Sequence, residues 1–204
     1  MSSGLPTIRR AERRDKLRNR ARVLSAASEL FGEHGVDVVT VDQVAERAGV
    51  GVGTIYRGFG EKGGLVAAIL DERERRLQDQ LLAGPPPLGP GAPADERVRA
   101  FLTALCALVE RSFELLAISE NSTLGGRYRI GSYQAWRLHL SMLLREHGIK
   151  RNPELLADAL LAPLAADLYR HQRRELGVGA RRIEQTVQAL GEGVLSSSHR
   201  HQPR

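Results

Sequence analysis

The segment from Thr40 to Lys62 constrains the fold of this 204-residue chain more than any other stretch. Thr40 is a favourable helix N-cap, and Gln43 three residues later completes a capping box, so a helix is expected to begin here. The sequence Gly49-Val50-Gly51 ends that helix, because glycine permits the backbone of a sharp interhelical turn. A second helix is predicted from about Gly53 to Phe59. Two short helices joined by so tight a turn indicate a helix-turn-helix.

The second of these helices presents polar groups that its own packing does not use. Ile55 and Phe59 lie four residues apart and are expected to face inward. Thr54, Tyr56 and Arg57 then occupy the other sides of the helix. A helix this short buries too little surface to be stable alone. Its outward hydroxyl, phenol and guanidinium groups favour a nucleic-acid surface as the partner.

The motif is part of a longer pattern of residues that extends over about residues 17–77, roughly a third of the chain, and is defined by their order and spacing. The positions that carry the pattern are Leu24, Ala27, Leu30, Phe31, Gly35, Thr40, Val41, Asp42, Val44, Ala45, Ala48, Gly49, Val50, Gly53, Thr54, Ile55, Tyr56, Arg57, Phe59 and Lys62. The pattern resembles the DNA-binding domain of the tetracycline-repressor (TetR) family of bacterial transcription regulators. The rest of the chain matches that family only in its helical periodicity.

The resemblance implies an all-α fold and a domain order. An N-terminal three-helix DNA-binding domain of the helix-turn-helix type would be joined by a long fourth helix to a C-terminal helical ligand-binding and dimerisation domain. It also implies a homodimeric, ligand-responsive repressor that a small molecule of unknown identity releases from a palindromic DNA operator. The predicted segments are a basic arm (1–14), the DNA-binding domain (15–77), the effector-binding and dimerisation domain (78–195) and a flexible tail (196–204).

The resemblance further implies a role for each residue of the motif. Thr40 would offer its hydroxyl and amide to a phosphate, and Tyr56 would donate its phenol hydroxyl to the DNA backbone. Arg57 would read a guanine edge or hold a phosphate, and Lys62 would clamp another phosphate. The implied DNA-binding set within the motif is Thr40, Val52, Gly53, Thr54, Tyr56, Arg57 and Lys62, of which residues 52–54 would lie nearest the groove floor.

Two positions depart from the family pattern. Serine is common in the family where this chain has Gly51, and histidine is common where it has Gly58. The first change removes a hydroxyl cap, and the second removes an imidazole that would face a phosphate. Glycine inside a helix costs about 1 kcal/mol relative to alanine. We therefore expect a recognition helix that is mobile without DNA.

Positive charge is concentrated at the N-terminus. Residues 1–22 hold eight basic and two acidic residues, which accounts for the whole formal net charge of +6, whereas residues 23–62 carry more acids than bases. Phosphate attraction must then come largely from the arm and the start of the first helix. Arg13, Arg14 and Arg18 are the candidate contacts. The alternative is a solvated basic tail that touches nothing.

Apolar residues at helical spacing predict helices along the whole chain. Gly35 is expected to end the first helix, and Gly84 to Pro93 reads as a loop. Pro163 should kink the helix in which it lies, because it lacks an amide donor. Asn152 and Pro153 read as the N-cap and first residue of that helix. The predicted helices beyond the motif are 15–34, about 65–82, 98–116, 133–147, 153–173 and 180–195, with an irregular stretch at 118–132.

The last two predicted helices carry apolar stripes that would fit a four-helix dimer interface. The candidates are Leu156, Leu160, Leu164, Ile183, Val187 and Leu190. The alternative is that these residues complete the core of a single chain.

Candidates for an effector pocket lie between the predicted helices of the second domain. Apolar residues at such positions are more often core than pocket wall. A histidine there is more often an exposed or hydrogen-bonded surface residue than a ligand contact. The candidates are Phe101, Leu105, Phe113, Trp136, Leu140, Leu168, Arg127 and His139, with Glu120, Asn121 and Asp167 as further polar groups.

Composition and motif content argue against several classes of protein. The single cysteine, Cys106, excludes an internal disulfide and suits a reducing cytoplasm, where we expect the chain to act. Its apolar neighbours favour a core thiol over a nucleophile or sensor. No run of about 18 apolar residues predicts a membrane span. The basic N-terminus lacks the apolar segment of a signal peptide.

Patterns typical of enzymes and metal sites are not found in the sequence. There is no metal-ligand spacing and no nucleophile elbow, and Gly51-Val52-Gly53 lacks the strand that precedes a phosphate-binding loop. We therefore expect no catalysis, no cofactor and no metal. The alternative to a regulator is an architectural DNA-binding protein without a ligand, which a sequence-specific footprint would distinguish.

Overall fold

The computed structural model describes residues 5–120, 126–129 and 131–197, and side chains from residue 12 onward. Within these ranges the chain is helical and contains no β-strand, so the predicted all-α class is confirmed. No helix in the described part is long and apolar enough to cross a membrane. The helices are α1 (Leu5–His34), α2 (Val41–Ala48), α3 (Val52–Phe59), α4 (Lys62–Ala83), α5 (Ala94–Glu110), α6 (Phe113–Glu120), α7 (Gly126–Arg129), α8 (Gly131–Glu146), α9 (Pro153–Leu161), α10 (Ala166–Arg170) and α11 (Ala180–Leu195).

The chain divides into two compact units between Glu72 and Arg73, within α4. The sequence places the domain boundary slightly later, at residue 77. The first unit holds α1–α3 and the start of α4, and the second holds the end of α4 and every later helix.

Helix α1 is longer than predicted, because it begins at Leu5 and not at residue 15. Residues 7–31 contain neither glycine nor proline, and arginine, leucine and alanine favour helix. Pro6 lies in the first turn, where a missing amide costs nothing. Residues 5–14 of the predicted arm are therefore part of α1; residues 1–4 lie outside the described residues.

The core of the first unit is formed by one face of each helix. Ile55 of α3 is fully buried, and Val44 of α2 and Leu65 of α4 are buried with it. Burying one such side chain stabilises a fold by about 1.5–3 kcal/mol. The predicted stripe of α1 faces this core through Val23, Ala27, Leu30 and Phe31.

Helix α5 is shorter than predicted, because it ends at Glu110 and α6 begins at Phe113. The guanidinium of Arg73 donates to the carbonyl of Arg111 and, at 2.8 Å, to the hydroxyl of Ser112. These bonds replace helical ones at the break. The apolar period continues across it, so the sequence alone predicts one helix to residue 116.

The predicted single helix 153–173 is interrupted at Pro163. Helix α9 ends at Leu161, a 3₁₀ turn covers Ala162–Leu164, and Ala165 is extended before α10 begins. A π-helical turn, His171–Glu175, follows α10. Proline removes one helical donor, which accounts for the break. The predicted kink is thus a complete interruption.

Two polar side chains satisfy the backbone groups that this interruption exposes. Arg127 donates to the carbonyls of Leu161, at 2.8 Å, and Leu164, at 3.0 Å. The carboxylate of Glu120 accepts the amide of Ala166 at 3.0 Å. The two side chains also pair with each other at 2.8 Å, and both are about nine-tenths buried. A buried ion pair therefore caps both halves of the broken helix.

The start of α9 differs from its prediction in one respect. Pro153 is the first helical residue, as expected, but Asn152 makes no side-chain cap bond. Its backbone is left-handed, with φ of 51°, a conformation that asparagine tolerates better than most residues.

Most of the predicted dimer-interface residues belong to the core of the single chain. Leu160, Leu164, Ile183 and Val187 are almost completely buried in it, and a side chain without exposed surface cannot contact a second subunit. The interface prediction is therefore wrong for these four, and the alternative holds. Leu156 is half-buried, and Leu190 is exposed.

Candidate functional site

The start of α2 has the capping geometry that the sequence predicts. The Thr40 hydroxyl accepts the amide of Gln43 at 3.3 Å, and the Gln43 side chain accepts the amide of Thr40 at 2.8 Å. The Thr40 hydroxyl also donates to that side chain at 3.3 Å. Both groups that Thr40 was predicted to offer to a phosphate are thus engaged in the capping box.

Gly49 forms the turn between α2 and α3, with φ of 62° and its amide directed to the carbonyls of α2. The next amide, that of Val50, donates to Ala45 at 3.0 Å. Arg22 of α1 donates to the Gly49 carbonyl at 3.3 Å. A Cβ atom on Gly49 would lie 2.5 Å from the same guanidinium. Glycine is favoured here by its backbone angle, whereas the Arg22 side chain is long enough to move away from a larger residue.

Helix α3 presents the predicted polar face. Gly51 is its N-cap and supplies no side-chain cap bond, as expected from the missing hydroxyl. Ile55 is buried, whereas the side chains of Tyr56 and Arg57 are exposed. Neither the Tyr56 hydroxyl nor the Arg57 guanidinium has a hydrogen-bond partner in the described part of the chain. Both remain available to an outside partner.

The N-terminal end of α3 carries the other predicted groove-facing residues. Gly53 is exposed, and Val52 and Thr54 are half-buried. The amide of Thr54 donates to Gly51 at 2.8 Å and so belongs to the first turn of the helix. Their contact with DNA stays a prediction.

Phe59, predicted to face inward with Ile55, is only half-buried. Its ring lies under the guanidinium of Arg20, which is 4.8 Å from the ring centroid. This cation–π contact ties the end of α3 to α1. Sequence reasoning counted Arg20 only as part of a basic segment.

The contacts of Lys62 disagree with its predicted role as a phosphate clamp. Its ammonium donates to the carbonyls of Val36, Asp37 and Val39, at 2.7, 3.1 and 3.2 Å. An ammonium group has three donors, so all of them are used within the first unit. Lys62 instead holds the loop between α1 and α2 against the start of α4.

The basic residues of α1 fall into two groups. Arg18 pairs with Asp15, and Arg20 and Arg22 make the contacts just described. The remaining cations with described side chains are exposed, and none pairs within the described chain: Arg13, Arg14 and Lys16. Together with Arg57, this second group carries unpaired positive charge among the described residues of the first unit. The predicted role of Arg18 is weakened, because its charge is balanced by Asp15.

In the second unit, the predicted pocket walls are core residues. Phe101, Leu105 and Leu140 have no exposed surface, and Phe113 and Trp136 have little. Leu168, in contrast, is not a core residue, because 42% of its surface is exposed. The period of a helix reports burial and does not separate a cavity wall from solid core. The role of these apolar residues as pocket walls stays a prediction. Asn121 lies outside the described residues.

His139 packs on Phe101 in an edge-to-face contact, with 5.0 Å between ring centroids. Burial, with a smaller contribution from Arg97, lowers the pKa of His139 to about 4. Its Nε2 is buried and has no hydrogen-bond partner in the described ranges. His139 is therefore a neutral packing residue at physiological pH, and not the surface residue expected. Within those ranges no group of acidic, histidine or cysteine side chains is arranged for a metal ion.

Cys106 is buried, as predicted for a core thiol. Burial, followed by the charge of Glu184, raises the pKa of the thiol to about 12. A thiol held in its neutral form is a poor nucleophile.

A cavity of about 580 Å³ opens between α7, α8 and α9. Asp158 lies within it and accepts hydrogen bonds from the Tyr133 hydroxyl, at 2.8 Å, and from Nε of Arg137, at 2.7 Å. Burial and the bond to Asp158 raise the pKa of Tyr133, so the phenol stays protonated. The lining residues are Arg127, Tyr128, Tyr133, Gln134, Arg137, Asp158, Ala159, Ala162 and Ala165.

Sequence reasoning found only Arg127 of this lining. The other residues come from three helices and share no period or motif. A signal exists for part of the lining only: residues 127–137 hold many aromatic and charged side chains, where the sequence predicts an irregular stretch followed by a helix.

Comparison with known proteins agrees with the geometry of the first unit. Residues 23–69 match the model of the tetR family of bacterial regulatory proteins. An HTH-type transcriptional regulator of Staphylococcus aureus (strain bovine RF122 / ET3-1) is 40% identical over 58 residues, which cover 28% of this chain and 31% of that protein. The match thus spans about a third of that relative. The matched family and this relative are transcription regulators and not enzymes.

Solved structures share the fold over most of the chain. A TetR-family transcriptional regulator from Streptomyces coelicolor has a TM-score of 0.68 at 22% identity, covering 89% of this chain and 96% of its own. A transcriptional regulator from Saccharomonospora viridis, solved in complex with choline, has a TM-score of 0.68 at 19% identity, with coverages of 85% and 95%. With the helix-turn-helix of α2 and α3 in place, these matches show that residues 23–69 resemble the tetR family of bacterial regulatory proteins and that most of the chain shares the fold of the two solved regulators.

Proposed function

We propose that this protein is a homodimeric, sequence-specific repressor that binds a palindromic DNA operator and leaves it when a small molecule binds the second unit. One observation carries the DNA-binding part. The turn and both ends of the α2–α3 motif are held by contacts from α1 and α4, while Tyr56 and Arg57 stay exposed and without partners in the described chain. A rigid frame with a free polar face is what base reading requires.

The roles within this face follow from position on the helix. Gly53 and Thr54 lie in the first turn of α3, the part of a recognition helix that approaches base edges in the major groove. The absence of a side chain on Gly53 lets the backbone come close. Tyr56 would donate to a phosphate, and Arg57 would bond a guanine edge or a phosphate.

The net charge of the first unit determines where affinity arises. Residues 23–62 are acidic overall, so the motif itself attracts DNA weakly. Arg13, Arg14 and Lys16 on the N-terminal part of α1 supply free positive charge for phosphates. Since these residues are helical, this attraction would come from a helix and not from a flexible arm.

Dimerisation and ligand response are supported by the fold. Two recognition helices read a palindrome when they are spaced by about 34–36 Å, one turn of DNA, which a symmetric dimer provides. The regulator from Saccharomonospora viridis holds a small molecule on the same fold, so a ligand site in this chain is a reasonable inference.

Footprinting the purified full-length protein on the DNA flanking its own gene tests this function. We expect a protected palindrome and a strong loss of protection with Arg57→Gln. Arg47→Gln is the matched control, because Arg47 is an exposed arginine of α2 that bridges weakly to Glu29 and Glu33, both at 3.7 Å. Binding without any preferred sequence would contradict the proposal and favour an architectural DNA-binding protein.

A further inference from the structure

The cavity between α7, α8 and α9 has an unequal charge balance. Two guanidinium groups, those of Arg127 and Arg137, line it together with one carboxylate, that of Asp158. Glu120, which neutralises Arg127, is not among the lining residues. The lining itself therefore holds one more cation than anion, and Glu120 balances Arg127 from behind it.

Arg137 is only partly used by the protein. It bonds Asp158 through Nε at 2.7 Å, and its side chain is 31% exposed. The two Nη atoms have no partner in the described part of the chain. A guanidinium with both Nη groups free presents the paired donors that match a carboxylate.

Arg127 has less to offer a ligand. Its Nη atoms bond Glu120 and the carbonyls of Leu161 and Leu164, and the residue is 8% exposed. Its guanidinium also lies 5.3 Å from the ring centroid of Tyr133. Arg127 therefore contributes a fixed wall of the cavity, while Arg137 supplies the donors.

The remaining lining suits a flat apolar body. Tyr128 and Tyr133 meet edge to face, with 5.2 Å between centroids and an interplanar angle of 87°. Tyr133 is buried, but Tyr128 is 59% exposed and offers a ring surface. Ala159, Ala162 and Ala165 have the smallest side chains that line the cavity, so they leave room beside the rings.

We propose that this cavity binds a small organic carboxylate with a flat apolar body, whose carboxylate pairs with Arg137 and whose ring packs on Tyr128. This ligand is the effector, an assignment that rests on the proposed function. A cation would face two guanidinium groups and a carboxylate that Arg137 and Tyr133 already satisfy. A neutral ligand would leave the free Nη groups without a partner of opposite charge.

Direct binding to the full-length protein without DNA tests the site. The probes are benzoate and 2-naphthoate, their neutral amides, and a trimethylammonium derivative of naphthalene. Calorimetry measures the affinity, and fluorescence of the single tryptophan, Trp136, one turn from Tyr133, reports on the cavity. We expect saturable binding of a carboxylate, with the matching amide and the cation weaker by about tenfold or more, as for loss of a charged hydrogen bond.

The variants separate a binding role from a structural one. Arg137→Gln should weaken carboxylate binding by about tenfold or more, and Arg137→Lys by less, because a charge remains. Tyr128→Ala should weaken it by several-fold, since the exposed ring supplies contact and little fold stability. Arg145→Gln is the matched control, because Arg145 also bridges α8 to α9, through Glu154, but does not line the cavity. It should bind carboxylates as the wild type does.

Several results would overturn the proposal: no saturable binding of either carboxylate, equal binding of the amides, or equal weakening by Arg145→Gln and Arg137→Gln. The outcome is independent of the footprint. A protein that protects a palindrome but binds no carboxylate would refute the ligand assignment alone. One that binds carboxylate but protects no sequence would refute the proposed function alone.

Discussion

Each unit contains a cation that holds more than one backbone carbonyl at an irregular point of the chain. In the first unit, Lys62 binds three carbonyls of the loop between α1 and α2 and has no carboxylate partner in the described chain. In the second, Arg127 binds two carbonyls at the broken helix and is paired with Glu120. The difference follows burial, because a charge nine-tenths buried needs a counter-charge, whereas a half-buried one keeps contact with water.

The difference in burial between Lys62 and Arg127 implies that the stability of the two units depends on these cations to different extents. Loss of Lys62 leaves carbonyls that water can reach. Loss of Arg127 leaves a buried carboxylate and two carbonyls unsatisfied at once. We therefore expect removal of Arg127 to destabilise the second unit more than removal of Lys62 destabilises the first.

The largest expected effect is that of Arg127→Met. It should destabilise the second unit by about 3–5 kcal/mol, the usual cost of removing one partner from a buried ion pair. Chemical denaturation followed by circular dichroism measures it. Arg174→Gln is the control, since it breaks a pair with Glu114 that is largely exposed and worth less than about 1 kcal/mol. Equal costs for the two variants would refute the contrast.

Lys62→Met should cost the first unit about 2–3 kcal/mol, since several bonds to a charged donor are lost but water replaces some of them. The salt dependence of DNA binding should keep its slope, because Lys62 contacts no phosphate. Lys16→Met should show the opposite pattern, with unchanged stability and a slope reduced by about 0.9 for one lost phosphate contact. If the Lys62→Met protein keeps its stability but the slope of its salt dependence falls, Lys62 does contact a phosphate.

Acid should weaken the second unit through His139. Its folded-state pKa of about 4 lies below the ordinary value of 6.5, so the unfolded chain binds more protons between these values. Stability from this residue is nearly constant above pH 6.5 and falls as the pH drops toward 4, by about 2.5 kcal/mol at pH 4.5. Unfolding at pH 7 and 4.5 measures it against His139→Gln, which should lose less stability on acidification. Equal losses would show that His139 is not the group responsible.

The smallest expected effect is local to the first unit. Gly51→Ser places a hydroxyl at the N-cap of α3, and a Cβ there meets no atom within 4 Å. It should stabilise the unit by roughly a few tenths of a kcal/mol, whereas Gly51→Ala, which adds no acceptor, should not. Thermal unfolding compares the two. If alanine stabilises as much as serine, the reduced freedom of the unfolded chain, and not capping, is the cause.

The helix-turn-helix could be predicted closely, because its signals are local. The Thr40–Gln43 capping box, the left-handed Gly49 and the buried Ile55 each follow from residues within one or two turns. The positions of Lys62, Arg20 and Arg22 could not be predicted, since their partners lie more than 20 residues away. Of the three, the sequence assigns only Lys62 to a phosphate, because a basic residue near a DNA-binding motif has no other local partner.

In the second unit, contacts between residues far apart in the sequence decide even more of the structure. Its helical period was read correctly, but the breaks at Arg111 and Ala162 interrupt apolar stripes that continue on both sides. Long-range bonds from Arg73 and from the Arg127–Glu120 pair satisfy the backbone there. The cavity combines residues of three helices, and burial of Leu160 and Ile183 in one chain removed them from any interface.

The sequence by itself determined the helical class, the motif between Thr40 and Phe59, the buried thiol and the concentration of positive charge before residue 23. Each depends on short-range periodicity, capping or composition. Only the tertiary structure decided which cations are free, where helices break and which residues enclose a cavity. Those outcomes depend on contacts between groups that are far apart in the sequence. The free energy of such a contact depends on both partners, so neither segment alone predicts it.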